Sequence, residues 1–250
     1  MATIRATLRL LLLQIRDGDQ VRHEEHQSFA NYCQVKPEQI EILNVFDTPS
    51  FTATAAEGYD ALLVGGASEA NVLEPERYPF VHDAQRLIAQ CLERDLPVFA
   101  SCFGFQLAVL ALGGAILHRD EGFEMGTLPI SLTSEAADDP LFADIPDPFM
   151  AVSVHRQYTD RLPESCQVLA FTDQCIHAFR VRGRRFWAFQ FHPEVDKRIL
   201  VERLTYYKAH YTDGDDHLQT VLDNAVETPD SNRLMTAFVD RVLLGDSGRD

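Results

Sequence analysis

Cys102 lies in the run Pro97-Val98-Phe99-Ala100-Ser101-Cys102-Phe103-Gly104-Phe105-Gln106. A β-prone stretch, Val98 to Ser101, leads into the cysteine. An apolar stretch at helical spacing, Phe105 to Leu112, follows almost at once and is closed by Gly113-Gly114. A strand that turns directly into a helix at a nucleophilic residue is a nucleophile elbow, written here with sulfur. The turn is tight, and the small residues Ala100 and Gly104 suit it. It also sets the sulfur at a helix N-terminus, where partial positive charge favours the thiolate, the reactive form of cysteine. The same residues equally describe a buried cysteine that opens a core helix.

A second junction offers the groups that such a nucleophile needs. In Phe186-Trp187-Ala188-Phe189-Gln190-Phe191-His192-Pro193-Glu194 an aromatic-rich strand ends in His-Pro-Glu. Residues i and i+2 of an extended chain point the same way, so His192 and Glu194 leave the strand end on one side. Pro193 fixes the backbone between them. Glu194 then orients the imidazole and stabilises its charged form, and the other ring nitrogen takes a proton from a thiol. A surface turn reads the same way. A third junction, Gly65-Gly66, lies directly behind the β-prone run Tyr59 to Val64. Backbone there is free to aim N–H groups at a developing oxyanion, with the N–H of Phe103 as second donor. Gly-Gly after a strand is also an ordinary turn.

These junctions need a scaffold that brings strand ends together, and the hydropathy pattern supplies one. Leu8 to Ile15, Ile40 to Phe46, Tyr59 to Val64 and Val98 to Ser101 read as buried strands. Helical stripes interleave with them: Phe29, Tyr32 and Cys33, then Val81 to Leu92, then Phe105 to Leu112. The β-α alternation predicts a doubly wound, mostly parallel α/β sheet with flanking helices, whose ligands sit at the carboxyl ends of strands. From Gly122 onward shorter runs predict antiparallel additions: Thr127 to Leu132, Phe149 to Val154, Val168 to Thr172, Cys175 to Val181 and Arg185 to Phe191. Asp196 to His210 reads as a closing helix and Asp213 to Asp216 as a linker. His217 to Val226 and Ser231 to Leu244 read as two further helices. The division expected is a domain over 1–212 and a short C-terminal helical extension over 213–250.

Composition narrows the partners. The 250 residues carry 22 Lys+Arg against 38 Asp+Glu, a formal net charge of −16. Such a surface repels phosphate backbones and anionic lipid, so neither nucleic acid nor membrane is an expected partner. The longest apolar run, around Leu10 to Leu13, is far too short to span a bilayer. The five cysteines, 33, 91, 102, 166 and 175, form no C-x-x-C pair, which suits reduced thiols and a cytoplasmic setting. Cys33, Cys91, Cys166 and Cys175 read as packing thiols. Histidines 23, 26, 82, 118, 177, 210 and 217 read as surface or structural residues. The nine histidines show no metal-ligand spacing, so the expectation is no metal and no cofactor.

Taken together, the motifs resemble the class I, triad-type glutamine amidotransferases, and within them most of all the glutaminase domain of GMP synthase. The resemblance runs from about Leu8 to about Lys208. It rests on Gly65-Gly66, Cys102-Phe103-Gly104-Phe105-Gln106, Glu124-Met125-Gly126 and Gln190-Phe191-His192-Pro193-Glu194. It implies Cys102 as nucleophile, His192 as general base and acid, Glu194 as orienter, and Gly66 and Phe103 as oxyanion donors. It implies that Gln106 helps hold a substrate glutamine, whose amino-acid end lies against Val154-His155-Arg156-Gln157, largely on backbone. The chain departs from the family pattern at Ala100, where glycine is usual, at Phe105, where close relatives often carry histidine, and at Arg156, where glycine commonly follows the histidine.

The resemblance implies hydrolysis of the glutamine side-chain amide through a γ-glutamyl thioester. The ammonia would pass to a synthetase in trans, because the chain has no phosphate-binding G-x-x-x-x-G-K-[ST] loop of its own. Two other readings stand beside it. One is a stand-alone hydrolase or peptidase acting on another γ-glutamyl compound. The other is a non-catalytic regulatory protein on the same scaffold, which the intact Cys102, His192 and Glu194 argue against. The C-terminal helices would cover a synthetase-docking surface or form a homo-oligomer contact.

Overall fold

The computed structural model describes residues 4–207 and 215–245. A nine-stranded sheet runs through it in the order β2-β1-β3-β4-β11-β10-β9-β6-β7. Five strands form its parallel part: β1 (Leu10–Gln14), β2 (Ile40–Asn44), β3 (Ala61–Val64), β4 (Val98–Ser101) and β11 (Phe186–Phe189). The antiparallel part follows on the β11 side, with β10 (Ile176–Val181), β9 (Cys166–Phe171), β6 (Glu124–Leu132) and β7 (Phe149–His155). These four strands are antiparallel additions of the kind expected in the second half. A small ladder of β5 (Leu117–His118) with β8 (Gln157–Tyr158) stands apart.

The runs of leucine in β1 are explained by burial on both faces. Leu11 and Leu13 join Leu62, Val64, Val98 and Ala100 under α2 (Phe80–Glu93) and α3 (Phe103–Ala111). Leu10 and Leu12 join Leu63 and Phe99 on the opposite face, under α1 (Asp19–Cys33). Strand period 2 thus feeds two separate cores, and a central parallel strand reads as a continuous apolar run. The stripe of α2 is fully used: Phe80, Val81, Ala84, Leu87, Ile88 and Cys91 are buried.

The C-terminal half of the chain closes the second face. Asp196 caps α4 (Lys197–Tyr206) by accepting from the Ile199 N–H. Next come α5 (Asp215–Asn224) and α6 (Pro229–Ala237), the latter continuing as a π-helical segment, Phe238–Leu243. Leu234, Met235, Phe238 and Val239 are buried in the same core as Phe99, Trp187 and Phe189. Trp187 is a core residue, as its sequence context suggests, with its indole N–H donating to Asp139.

Two expectations change. The run Arg185 to Phe191, expected among the antiparallel additions, forms β11, which is antiparallel only to β10 and pairs parallel with β4 on its other edge. Between β2 and β3, where no helical stripe is read, residues 45–60 carry turns. Four residues of polar and small character, Thr52, Thr54, Glu57 and Gly58, leave that stretch without a helical apolar stripe. The expected linker at Asp213 to Asp216 is also different: Asp215 and Asp216 already belong to α5, and 213–214 lie outside the described residues. The last residues expected in the closing helix, 208–210, lie outside them as well. Among the described residues no helix is long and apolar enough to cross a membrane.

Candidate active site

Cys102 stands where β4 ends and α3 begins, with φ 51° and ψ −100°. This is a positive-φ conformation that a non-glycine residue adopts at a cost of order 1–3 kcal/mol, and such strain collects at functional positions. Hydrogen bonds enforce it. The Cys102 N–H donates to the Phe189 carbonyl at 2.7 Å, and the Gly104 N–H donates to the Gly65 carbonyl at 3.2 Å. Gly104 has to be glycine, since a Cβ there would lie 2.8 Å from Val64 Cγ1 and 2.9 Å from the Val64 carbonyl oxygen.

The neighbouring parallel strand β11 ends in the His-Pro-Glu turn, so the pairing of β4 with β11 sets the two junctions side by side. His192 Nδ1 lies 2.7 Å from Glu194 Oε1, and His192 and Glu194 are both buried. Burial works against the charged imidazole. The interactions with Cys102 and with the Glu194 carboxylate outweigh it, and the His192 pKa is held at about 9. Burial likewise works against ionised Glu194. The His192 charge and hydrogen bond, with Arg203, outweigh it and hold the carboxyl at about 2. His192 thus stands between the Cys102 sulfur and the Glu194 carboxylate, both of which favour its charged form.

Gly66 closes the third side. A Cβ on it would lie 2.7 Å from His192 Cε1 and 3.5 Å from Cys102 Cβ, so its backbone abuts both groups. Phe103 is the first residue of α3, and its N–H belongs to the helix-start donors that have no partner within the helix. Cys102, His192, Glu194, Gly66 and Phe103, all singled out in the sequence, therefore converge.

The remaining singled-out residues border this group. Gln106 is buried and its Nε2 donates to the Gln157 carbonyl at 3.3 Å. The Val154 carbonyl lies 3.9 Å from Cys102 Sγ. The His155 ring turns the other way, with Nδ1 3.0 Å from the Gln157 carbonyl and Nε2 3.0 Å from Glu124 Oε2. Backbone, not imidazole, is what this segment presents to the sulfur. A cavity beside His192 is lined by Arg16, Ser68, Val154, Arg203 and Leu204, and Cys102 does not line it.

Residues 21–205 match the family described as glutamine amidotransferase class-I. The chain belongs to that family. Among curated proteins it is 36% identical over 128 residues to a GMP synthase [glutamine-hydrolyzing] of Thermotoga petrophila, covering 51% of this chain and 24% of that protein. It is 31% identical over 118 residues to one separate subunit of the GMP synthase [glutamine-hydrolyzing] of Methanocaldococcus jannaschii, covering 47% of this chain and 61% of that one. The matched part thus spans only about a quarter of the length of the single-chain GMP synthases. A crystal structure of a glutamine amidotransferase from Thermotoga maritima shares the fold with TM-score 0.76 and 20% identity, covering 94% of this chain and 98% of that one.

Several residues around the site are not evident in the sequence pattern. Arg16 is buried, with Nε 2.9 Å from Glu25 Oε1 and Nη1 2.9 Å from Ser68 Oγ. Its position just past β1, at a strand's carboxyl end, was a usable signal. Arg203 of α4 lies 2.7 Å from Glu24 and 3.9 Å from Glu194 Oε1. His177, read from sequence as a surface or structural residue, is fully buried with Nε2 2.8 Å from Glu124 Oε2. Its surroundings come from strands far apart in sequence, so spacing carries no trace of them.

Proposed function

We propose that this chain is a glutaminase that hydrolyses the side-chain amide of glutamine through a thioester on Cys102. The observation that carries this is the His192 ring, held by Glu194 at 2.7 Å and gathered with Cys102 around Gly66, within a family of glutamine amidotransferases. The Cys102 thiolate attacks the carboxamide carbon, and the carbonyl electron pair moves onto oxygen. The N–H groups of Gly66 and Phe103 hold that oxyanion, and losing one such donor costs about 3–4 kcal/mol of transition-state stabilisation. His192 gives its proton to the amide nitrogen, the C–N bond breaks, and ammonia leaves. Neutral His192 then takes a proton from water, whose oxygen attacks the thioester, and glutamate departs as the thiolate reforms.

Gln106 and the backbone of Val154 to Gln157 are proposed to hold the amino-acid end of glutamine. Ammonia passes to a synthetase in trans, in keeping with the Methanocaldococcus relative, which is a single subunit of a GMP synthase. The domain is taken as 1–212 and the extension as 213–250. The unpaired state of all five cysteines favours a reducing, cytoplasmic setting.

The test is turnover of glutamine by purified protein, with a panel of γ-glutamyl peptides alongside. Glutamate and ammonia from glutamine, abolished by Cys102→Ser in a variant that keeps the parent's circular dichroism, is the expected result. Undiminished turnover by Cys102→Ser overturns the nucleophile assignment. Rapid peptide hydrolysis with inert glutamine replaces the substrate.

A further inference from the structure

We propose that Glu124, His155, Cys175 and His177 form a closed four-ligand site for one divalent transition-metal ion of the zinc class. Glu124 opens β6, His155 ends β7, and Cys175 and His177 flank the start of β10. The antiparallel register sets Glu124 directly opposite His155. One ligand atom from each of the four lies within 4.8 Å of every other. All four residues are buried, at 7%, 8%, 6% and 0% exposure in sequence order.

The contacts centre on Glu124 Oε2, which has His177 Nε2 at 2.8 Å, His155 Nε2 at 3.0 Å and Cys175 Sγ at 3.4 Å. A tetrahedral zinc site with bonds of about 2.0–2.3 Å has ligand-to-ligand edges of roughly 3.3–3.8 Å. Side-chain shifts of about an ångström therefore close the site on an ion. The other carboxylate oxygen is already occupied, since Thr172 Oγ1 donates to Glu124 Oε1 at 2.8 Å. Glu124 thus has one oxygen to offer.

His155 is the observation that calls for a cation. Its Nδ1 faces the Gln157 carbonyl at 3.0 Å, and a carbonyl only accepts, so Nδ1 carries the hydrogen. In the neutral ring Nε2 then presents a lone pair to a carboxylate oxygen that is itself crowded by two other groups. With the hydrogen on Nδ1, the buried Nε2 is left without a hydrogen-bond partner. A spherical cation between Nε2 and Oε2 resolves that opposition. Imidazole at the metal with its other N–H on a backbone carbonyl is also the usual outer arrangement of a ligating histidine.

Two imidazoles, a thiolate and a carboxylate are a donor set for zinc, and four protein ligands leave no open position. The ion would therefore be structural. On binding, Cys175 releases its proton to solvent and the sulfur bonds to the metal. The Gln157 carbonyl is shared between His155 Nδ1 and Gln106 Nε2, so the site braces the segment that borders Cys102.

The experiment uses full-length Cys102→Ser protein, which keeps metal off the Cys102–His192 pair. It is stripped with chelator, given zinc and gel-filtered. The expected result is one zinc retained per chain. X-ray absorption should show a first shell of one sulfur at about 2.3 Å with nitrogen and oxygen at about 2.0–2.2 Å. Thermal stability should rise with zinc, and Cys175→Ser and His177→Gln should each lose the retained metal and the rise. Absence of retained zinc, a first shell without sulfur, or equal retention by both variants overturns the proposal. Should either variant fail to fold, stoichiometry and the absorption shell of the Cys102→Ser protein decide alone.

Discussion

Asn232 donates its side-chain amide to the Pro193 carbonyl at 2.7 Å and to the Val195 carbonyl at 3.1 Å, clasping the backbone on either side of Glu194. Asn232 lies on α6 and is buried. Helix α6 therefore fixes the turn that carries the imidazole and its carboxylate. Asn232→Ala should leave two buried carbonyls without this donor and cost about 1–3 kcal/mol of stability. It should also lower kcat for glutamine more than it raises KM. Asn232→Asp, of equal size but with acceptors facing the carbonyls, should rescue neither. A stability loss in Asn232→Ala with kcat and its pH profile unchanged would reduce the contact to packing alone.

The charge state of His192 fixes a pH dependence. Its folded pKa, about 9, lies above the ordinary 6.5. Its contribution to stability is therefore full below about pH 6.5 and is lost as pH rises through about 9. Glu194, at about 2, lies below the ordinary 4.5, so its contribution is full above about pH 4.5 and is lost as pH falls through about 2. Melting temperature should accordingly fall on the alkaline side. Glu194→Gln removes one of the anions that raise His192, and both the alkaline fall in stability and the alkaline limb of kcat/KM should move to lower pH. The rate should drop by on the order of 100-fold or more, the usual range for a misplaced general base. An alkaline limb that stays put in Glu194→Gln would remove Glu194 from the role.

How far the sequence carried is visible in particular residues. The elbow was legible because strand, cysteine and helix follow one another locally, and His192 and Glu194 were legible because two residues of extended chain put them on one side. Their convergence with Gly66 depends on β3, β4 and β11 being parallel neighbours, which the alternating pattern implies for β3 and β4 but not for β11, whose run reads as an antiparallel addition. The brace from Asn232, the ion pair of Arg16 with Glu25, and the gathering of Glu124, His155, Cys175 and His177 were not legible. Each joins elements through tertiary packing, and no periodicity records which helix lies on which turn. The parallel pairing of β11 with β4 was a different kind of miss, in which a short run set among antiparallel neighbours in sequence is carried back beside β4 by tertiary pairing.

Gly66 offers a direct probe of the oxyanion side. The methyl of Gly66→Ala would meet His192 Cε1 at 2.7 Å, closer than real Cβ contacts allow, and Arg16 Nη2 at a tight 3.0 Å. The imidazole or the Gly66 backbone has to move, and either displaces a group from the reacting atoms. Glutaminase kcat should fall by on the order of 100-fold, the scale of one lost oxyanion donor. Far-UV circular dichroism should be unchanged. Activity near that of the parent protein would show that this backbone does not bear on the chemistry.

The Arg16–Glu25 pair separates a structural cost from a positioning one. Both side chains are buried, at 2% and 0% exposure. Burial raises the Glu25 carboxyl pKa, Arg16 and Arg203 lower it, and the nearby Glu194 charge raises it. Arg16→Met leaves Glu25 without its main partner and should destabilise the fold by about 3–5 kcal/mol in urea denaturation, the range for one broken member of a buried pair. Replacing the whole pair, Arg16→Met with Glu25→Met, removes both desolvation costs and should recover most of that loss. Activity should not recover with it, because Arg16 packs against Gly66 and lines the cavity beside His192. Stability and kcat restored together in the double variant would show that the guanidinium serves the fold and not the site.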